Sequence, residues 1–174
     1  MKKILLLHIL GLIFLATVLS GCGMIQYKST PPEIVDYYTA DQILKPINEA
    51  RMKGMTCGSE YFAPAKPLRW NKKLARASLD HSMDMAKNGF MNHKGSDGSS
   101  TDSRLALAGY SWLAYGENIG QGYRNAGEAV NAWLKSDTHC RNIMNPDFEE
   151  AGAAAAKNKN LRVYWTLVLG TPGN

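Results

Sequence analysis

Three histidines stand outside the apolar N-terminal run of this chain: His81, His93 and His139. Imidazoles are the side chains best suited to move protons or hold a metal near neutral pH. His93 and His139 each follow a helical stretch, in polar segments rich in turn formers, where functional side chains concentrate. His81 instead shares a helical stripe with Leu74, Ala77 and Met85, the pattern of a packed core histidine. Two acids lie between His93 and His139. Glu117 sits in the glycine-rich run YGENIGQG, residues 115–122, and Glu128 opens a helical stretch. The spacings of 24, 11 and 11 residues match no local metal motif, so only the fold can bring these four together. Glu128 also fits an ordinary acid in a first helical turn, where the helix dipole favours it.

Other arrangements fail sooner. GENIGQG lacks the lysine and Ser/Thr of a P-loop, and the glycine spacing of a dinucleotide loop. Cys140 adjoins His139, but adjacent side chains rarely face each other as a nucleophile and its base must. Ser136 fits a helix C-terminal cap as well as a nucleophile. Asp97 lacks the acidic spacing of an EF-hand.

The elements that must position the candidates are legible in part. Ile43, Leu44, Ile47 and Ala50 recur at helical spacing after Asp41 and before Gly54, with Pro46 predicting an irregular first turn. Residues 58–68 read as loop. Asn71 is placed to cap the clearest helix, which runs to Asn88 before Gly89, with Ser78, Ser82 and Ala86 flanking its apolar stripe. A short helix is expected over 102–108, an extended aromatic segment over 110–114, a glycine loop after it, and a helix over 128–135. Residues 148–156 and 161–169 read as strands joined by a turn at 157–160. Helices followed by paired strands predict an α+β layered domain.

The 174-residue length suits one compact domain. Lys2, Lys3 and the apolar run Ile4 to Val18 have the anatomy of an export signal rather than a membrane span. Leu19-Ser20-Gly21-Cys22 is similar to a bacterial lipobox, which implies removal of 1–21, lipidation of Cys22, and a tether over 22–38 before the domain at 39–174. Several acyl chains hold a protein on a membrane, since each buried methylene contributes about 0.8 kcal/mol. Gly23 is not the aspartate that marks inner-membrane retention, so outer-membrane placement is expected if the organism has one. Losing Lys2 and Lys3 leaves 18 basic against 15 acidic residues, so a net charge of +5 becomes +3. With no basic cluster, nothing points to nucleic acid. Cys57 and Cys140 then remain as an even pair in an oxidising compartment, and a disulfide between them is expected.

Four stretches in order carry a family resemblance: HSMDMAKNGFMNHKGSDG (81–98), GENIGQG (116–122), EAVNAWLKSDTHCRNIMNPDFEEAG (128–152) and YWTLVLG (164–170). Together they resemble the bacterial branch of the CAP superfamily, the cysteine-rich secretory, antigen 5 and pathogenesis-related proteins. The resemblance implies a three-layer α-β-α sandwich around an antiparallel sheet. It also implies a cleft holding His93, Glu117, Glu128 and His139, with His93 and His139 as ligands of a Zn2+ ion, or a metal-free polar cluster. Relatives associated with sterol or lipid binding make a small apolar ligand the expected partner, in a non-enzymatic role. The alternative is a metal-assisted or acid-base hydrolase using Glu117 and His139. The sequence departs from the family pattern at Cys140, where arginine is usual, and at Leu167, where glutamine is usual.

Overall fold

A computed structural model describes residues 31–35 and 40–173. Cys22, the signal segment and most of the expected tether lie outside the described residues. Strand β1 (Glu33–Val35) precedes helix α1 (Ala40–Lys53), a hairpin of β2 (Met55–Cys57) and β3 (Glu60–Phe62), and the short β4 (Arg69–Trp70). Helices α2 (Lys72–Asn88) and α3 (Thr101–Leu107) lead to β5 (Trp112–Gln121). Helices α4 (Ala126–Lys135) and α5 (Asp137–Met144) then lead to β6 (Glu150–Lys157) and β7 (Val163–Pro172).

The main sheet runs β1-β6-β7-β5, with β4 pairing in parallel to the start of β6 and β1 antiparallel to its end. β6 and β7 alternate strictly between two apolar cores. Ala151, Ala153, Ala155, Trp165, Leu167 and Leu169 face α1, α4 and α5, while Ala156, Tyr164 and Val168 face α2 and α3. Because both faces are covered, the strands read as near-continuous apolar runs rather than alternating ones. This is the expected three-layer α-β-α sandwich.

α2 lies unusually close to the sheet because its facing residues are small. A Cβ on Gly152 would collide with the backbone of Leu74 and Ala75. Ser78 Oγ donates to Gly152 O at 2.9 Å, and Ser82 Oγ to Ala154 O at 3.1 Å. The predicted caps hold: Asn71 accepts from Lys73 and Leu74, and Gly89 ends the helix at φ 70°.

Three expectations change. The stretch 58–68 contains β3, the return strand of a hairpin whose first strand is β2. Residues 33–35, within the expected tether, pair with β6 from Val35↔Ala155 to Glu33↔Lys157. The glycine run is not a loop: residues 112–121 form edge strand β5, in register with β7 from Tyr115↔Gly170 to Gln121↔Tyr164. Its glycines make room for rings. A Cβ on Gly116 would meet Phe148 at 3.0 Å, and one on Gly120 would meet Tyr123 at 2.6 Å.

Candidate functional site

Strand alternation decides where the polar residues of β5 point. Glu117 faces the α2–α3 layer, whereas Asn118 faces α5. The Glu117 side chain is only 3% exposed, and three basic side chains approach it. Arg104 of α3 donates to Oε2 at 2.7 Å. His93 Nδ1 donates to Oε1 at 2.8 Å. His81 Nε2 stands 4.0 Å from the same oxygen. Burial pushes the Glu117 carboxyl up, but the His93 hydrogen bond and the charges of Arg104 and His81 outweigh it and hold it below the ordinary range.

His81 is the core histidine its stripe predicts, fully buried and donating from Nε2 to Asn92 O at 2.8 Å. Burial lowers its pKa, against the opposing pull of Glu117. The 92–100 segment that carries His93 is fastened to α2 at Asp84, which accepts from Ser96 N at 2.7 Å and also from the Ser96 hydroxyl. Arg104 closes this segment from beneath, donating to His93 O and Ser99 O at 3.0 and 3.2 Å. One guanidinium thus fixes both the carboxylate and the backbone of its imidazole partner. Sequence reasoning missed Arg104. Its signal was faint: a cation beside Leu105 on the buried side of a seven-residue helix.

His139 lies in the first turn of α5 rather than in a loop, and α5 was not expected as a separate helix. Ser136 ends α4 and begins α5. Burial, and secondarily the charge of His93, lowers the His139 pKa. Asn118 Nδ2 donates to His139 O at 3.0 Å, and Asn142 Nδ2 donates to Asn118 Oδ1 at 2.9 Å and to Glu117 O at 3.3 Å. These amides tie the strand of Glu117 to the helix of His139.

α5 is secured at both ends. At its start the expected disulfide joins Cys140 to Cys57 of β2, with Cα atoms 5.5 Å apart, and Arg141 pairs with Glu60 of β3. At its end the buried Arg51 of α1 donates to Ile143 O at 2.6 Å and to Asn145 O at 2.8 Å. Burial lowers Arg51 to about 10. Leu167, where the resemblance implies glutamine, is packed in the α1–α4–α5 core.

Glu128 does not join the cluster. Its carboxylate accepts from Arg124 N and Nε, both at 3.0 Å, while Asn125 caps its own amide. It is the first-turn acid of α4. Of the expected tetrad, His93 and Glu117 are in direct contact, with Arg104 and His81 behind Glu117, while His139 is tied to their strand through its backbone oxygen. Among the described residues no group of three or more His, Cys, Asp or Glu side chains is arranged to hold a metal. A closed zinc centre with three or four protein ligands does not fit this set. His93 and His139 are the residues an open, water-completed site would have to use. With Nδ1 donating to a carboxylate, the Nε2 of His93 is left as the lone-pair atom, the arrangement that orients metal-bound histidines.

A helix–sheet–helix sandwich with a His/Glu cluster at its edge strand defines the class, and the comparisons give the family. The model of the CAP family, described as "Cysteine-rich secretory protein family", matches residues 44–169, and the chain belongs to that family. The Bacillus subtilis (strain 168) protein YkwD is 30% identical over 101 residues, which cover 58% of this chain and 38% of that one. The matched region thus spans well under half of that relative. Among solved structures, an outer surface protein of Borrelia burgdorferi superimposes with a TM-score of 0.67 at 19% identity, covering 82% of this chain and 99% of that one. An extracellular SCP-domain protein of Bacillus anthracis str. Ames gives 0.63 at 22% identity, covering 75% and 39%. At such identities these likenesses show the fold. Among the described residues no helix is long and apolar enough to cross a membrane.

Proposed function

We propose that this chain is an exported CAP-domain protein held on the cell envelope by lipid at Cys22, on the outer membrane where the organism has one. Its domain acts as a binding module rather than an enzyme. The observation that carries the binding role is the buried Glu117–Arg104 pair. It spends the carboxylate on orienting His93 and leaves two imidazoles at the surface. His93, 57% exposed, and the half-buried His139 are the groups a ligand meets. A divalent cation such as Zn2+ would bind weakly there through the two rings, with water completing its shell. Among the described residues, the two nucleophile candidates of the sequence are otherwise engaged: Cys140 is in the disulfide, and Ser136 Oγ lies 3.5 Å from Thr138 Oγ1. The lipid-binding associations of the family make a small apolar molecule the expected physiological ligand, taken up beside the cleft.

The test is a Zn2+ titration of the full chain by calorimetry, beside lipid and metal mass spectrometry of the purified protein. Wild type should bind one equivalent weakly, His93→Ala/His139→Ala should lose it, and Glu128→Gln should keep it. A double-histidine variant that binds as tightly as wild type would remove the metal role. Unmodified Cys22 in protein recovered from its native membrane would remove the anchor.

A further inference from the structure

The turn between β6 and β7 combines features that folding does not explain. Leu161 is 73% exposed and has φ 60°, the only positive φ at a non-glycine among the described residues. A bulky residue in the left-handed region carries strain that persists where the surroundings over-determine it. Here Asn158 does so. Its amide donates to Arg162 O and its carbonyl accepts from Leu161 N, both at 2.9 Å, while its side chain accepts from Asn160 N and Arg162 N, both at 3.0 Å. The turn is built rigidly to hold an apolar side chain in solvent between Lys159 and Arg162.

The same turn walls a cavity of about 520 Å³ with Pro31, Pro32, Met83, Ala86 and Lys87. Among the described residues no carboxylate lines it. Among the described residues Lys87 and Lys159 have no ion-pair partner, and the nearby Glu33 is matched by Lys157 at 2.9 Å. Ile34, 49% exposed, extends the apolar surface. Pro31 is where the described chain begins, nine residues after Cys22. Nine residues span at most about 30 Å. A lipid on Cys22 would therefore be within that reach of Pro31, of the cavity it lines and of the cations and the exposed leucine beside it.

We propose that this end docks on anionic phospholipid. Leu161 enters the headgroup–acyl boundary, Lys87, Lys159 and Arg162 meet lipid phosphates, and the cavity between them seats a headgroup. The proposal rests on the Cys22 anchor for its orientation. An exposed apolar residue flanked by cations suits this interface, where acyl burial and charge act together. A protein partner would leave the coincidence with the anchor unexplained. The docked domain would be held in one orientation, not left to turn freely on its tether.

The experiment uses the full chain with Asn160→Cys carrying an environment-sensitive fluorophore, and Leu107→Cys as a control on the exposed end of α3. Each is studied in vesicles with or without phosphatidylglycerol. The 160 label should shift to the blue and be quenched by a lipid-borne quencher only with the anionic lipid, while the 107 label stays aqueous. Each basic residue strengthens attachment about five-fold, so Lys87→Glu/Lys159→Glu/Arg162→Glu should weaken the seating signal at least a hundred-fold. Leu161→Ser should weaken it without changing its salt dependence. A chain that floats with vesicles while its 160 label stays aqueous keeps the anchor and overturns the docking. Seating that persists in Cys22→Ser keeps the docking even if the anchor fails. A 160 label shielded without lipid, with a doubled mass, makes this end a self-association surface and overturns the proposal. An unchanged signal in the charge-reversed variant does the same.

Discussion

Replacing Arg104 by methionine isolates the interaction that organises the cleft. The side chains of Arg104 and Glu117 are 6% and 3% exposed and 2.7 Å apart. Removing one partner of such a pair costs about 3–5 kcal/mol, because the other charge is left in a poorly solvating site. The loss should depend on pH in a defined direction. In the native protein the Glu117 pKa is depressed, so its contribution is present above the unfolded carboxyl range and is lost as pH falls through the lower folded value. Without Arg104, burial is opposed only by His93 and His81, and the folded pKa rises. Arg104→Met should therefore cost most at pH 7 and progressively less toward pH 4, where Glu117 can protonate in both states. Adding Glu117→Gln removes the stranded charge, so the double variant should be more stable than Arg104→Met alone at pH 7. Urea denaturation at both pH values measures all three chains. A loss below about 1 kcal/mol at pH 7, a loss equal at the two pH values, or a double variant no better than the single would refute the reasoning.

Four further outcomes follow. His81 is buried with a lowered pKa, so the unfolded state takes up its proton first. Stability should fall as pH drops below about 6.5, and His81→Gln should flatten that slope in urea midpoints between pH 7.5 and 5. Opening the disulfide, which spans 83 residues, by Cys57→Ser/Cys140→Ser should remove about 4.5 kcal/mol in the chain-entropy model. Denaturation would show it, and faster amide exchange in α5 would accompany it. Gly152→Ala should cost about 3 kcal/mol or more because α2 backbone blocks the methyl. Gly127→Ala, whose nearest neighbour is 3.4 Å away in the first turn of α4, should be neutral or slightly stabilising in thermal unfolding.

The sequence was most informative where one residue sufficed. Asn71 and Gly89 bound α2, the stripe through His81 faces the sheet, and the 157–160 turn joins two apolar strands, because caps and periodicity are local properties. The glycine run was misjudged for the opposite reason. Glycine usually marks freedom of the backbone, but Gly116 makes room for the ring of Phe148, 32 residues further on, and Gly120 for that of Tyr123, which folds back from three residues away.

The candidate site divides in the same way. Sequence alone determined that His93, Glu117 and His139 were worth watching, and that Cys57 and Cys140 made an even pair. Only the tertiary structure decided that Glu128 belongs to Arg124 and that Glu117 belongs to Arg104. An acid at a helix start has a partner within four residues. An acid on a strand takes whatever the opposing layer presents, here Arg104 from α3 and His81 from α2. Which carboxylate joins the histidines is therefore set by the alternation of β5 and the packing of two helices against it, a relation that exists only once the layers have met.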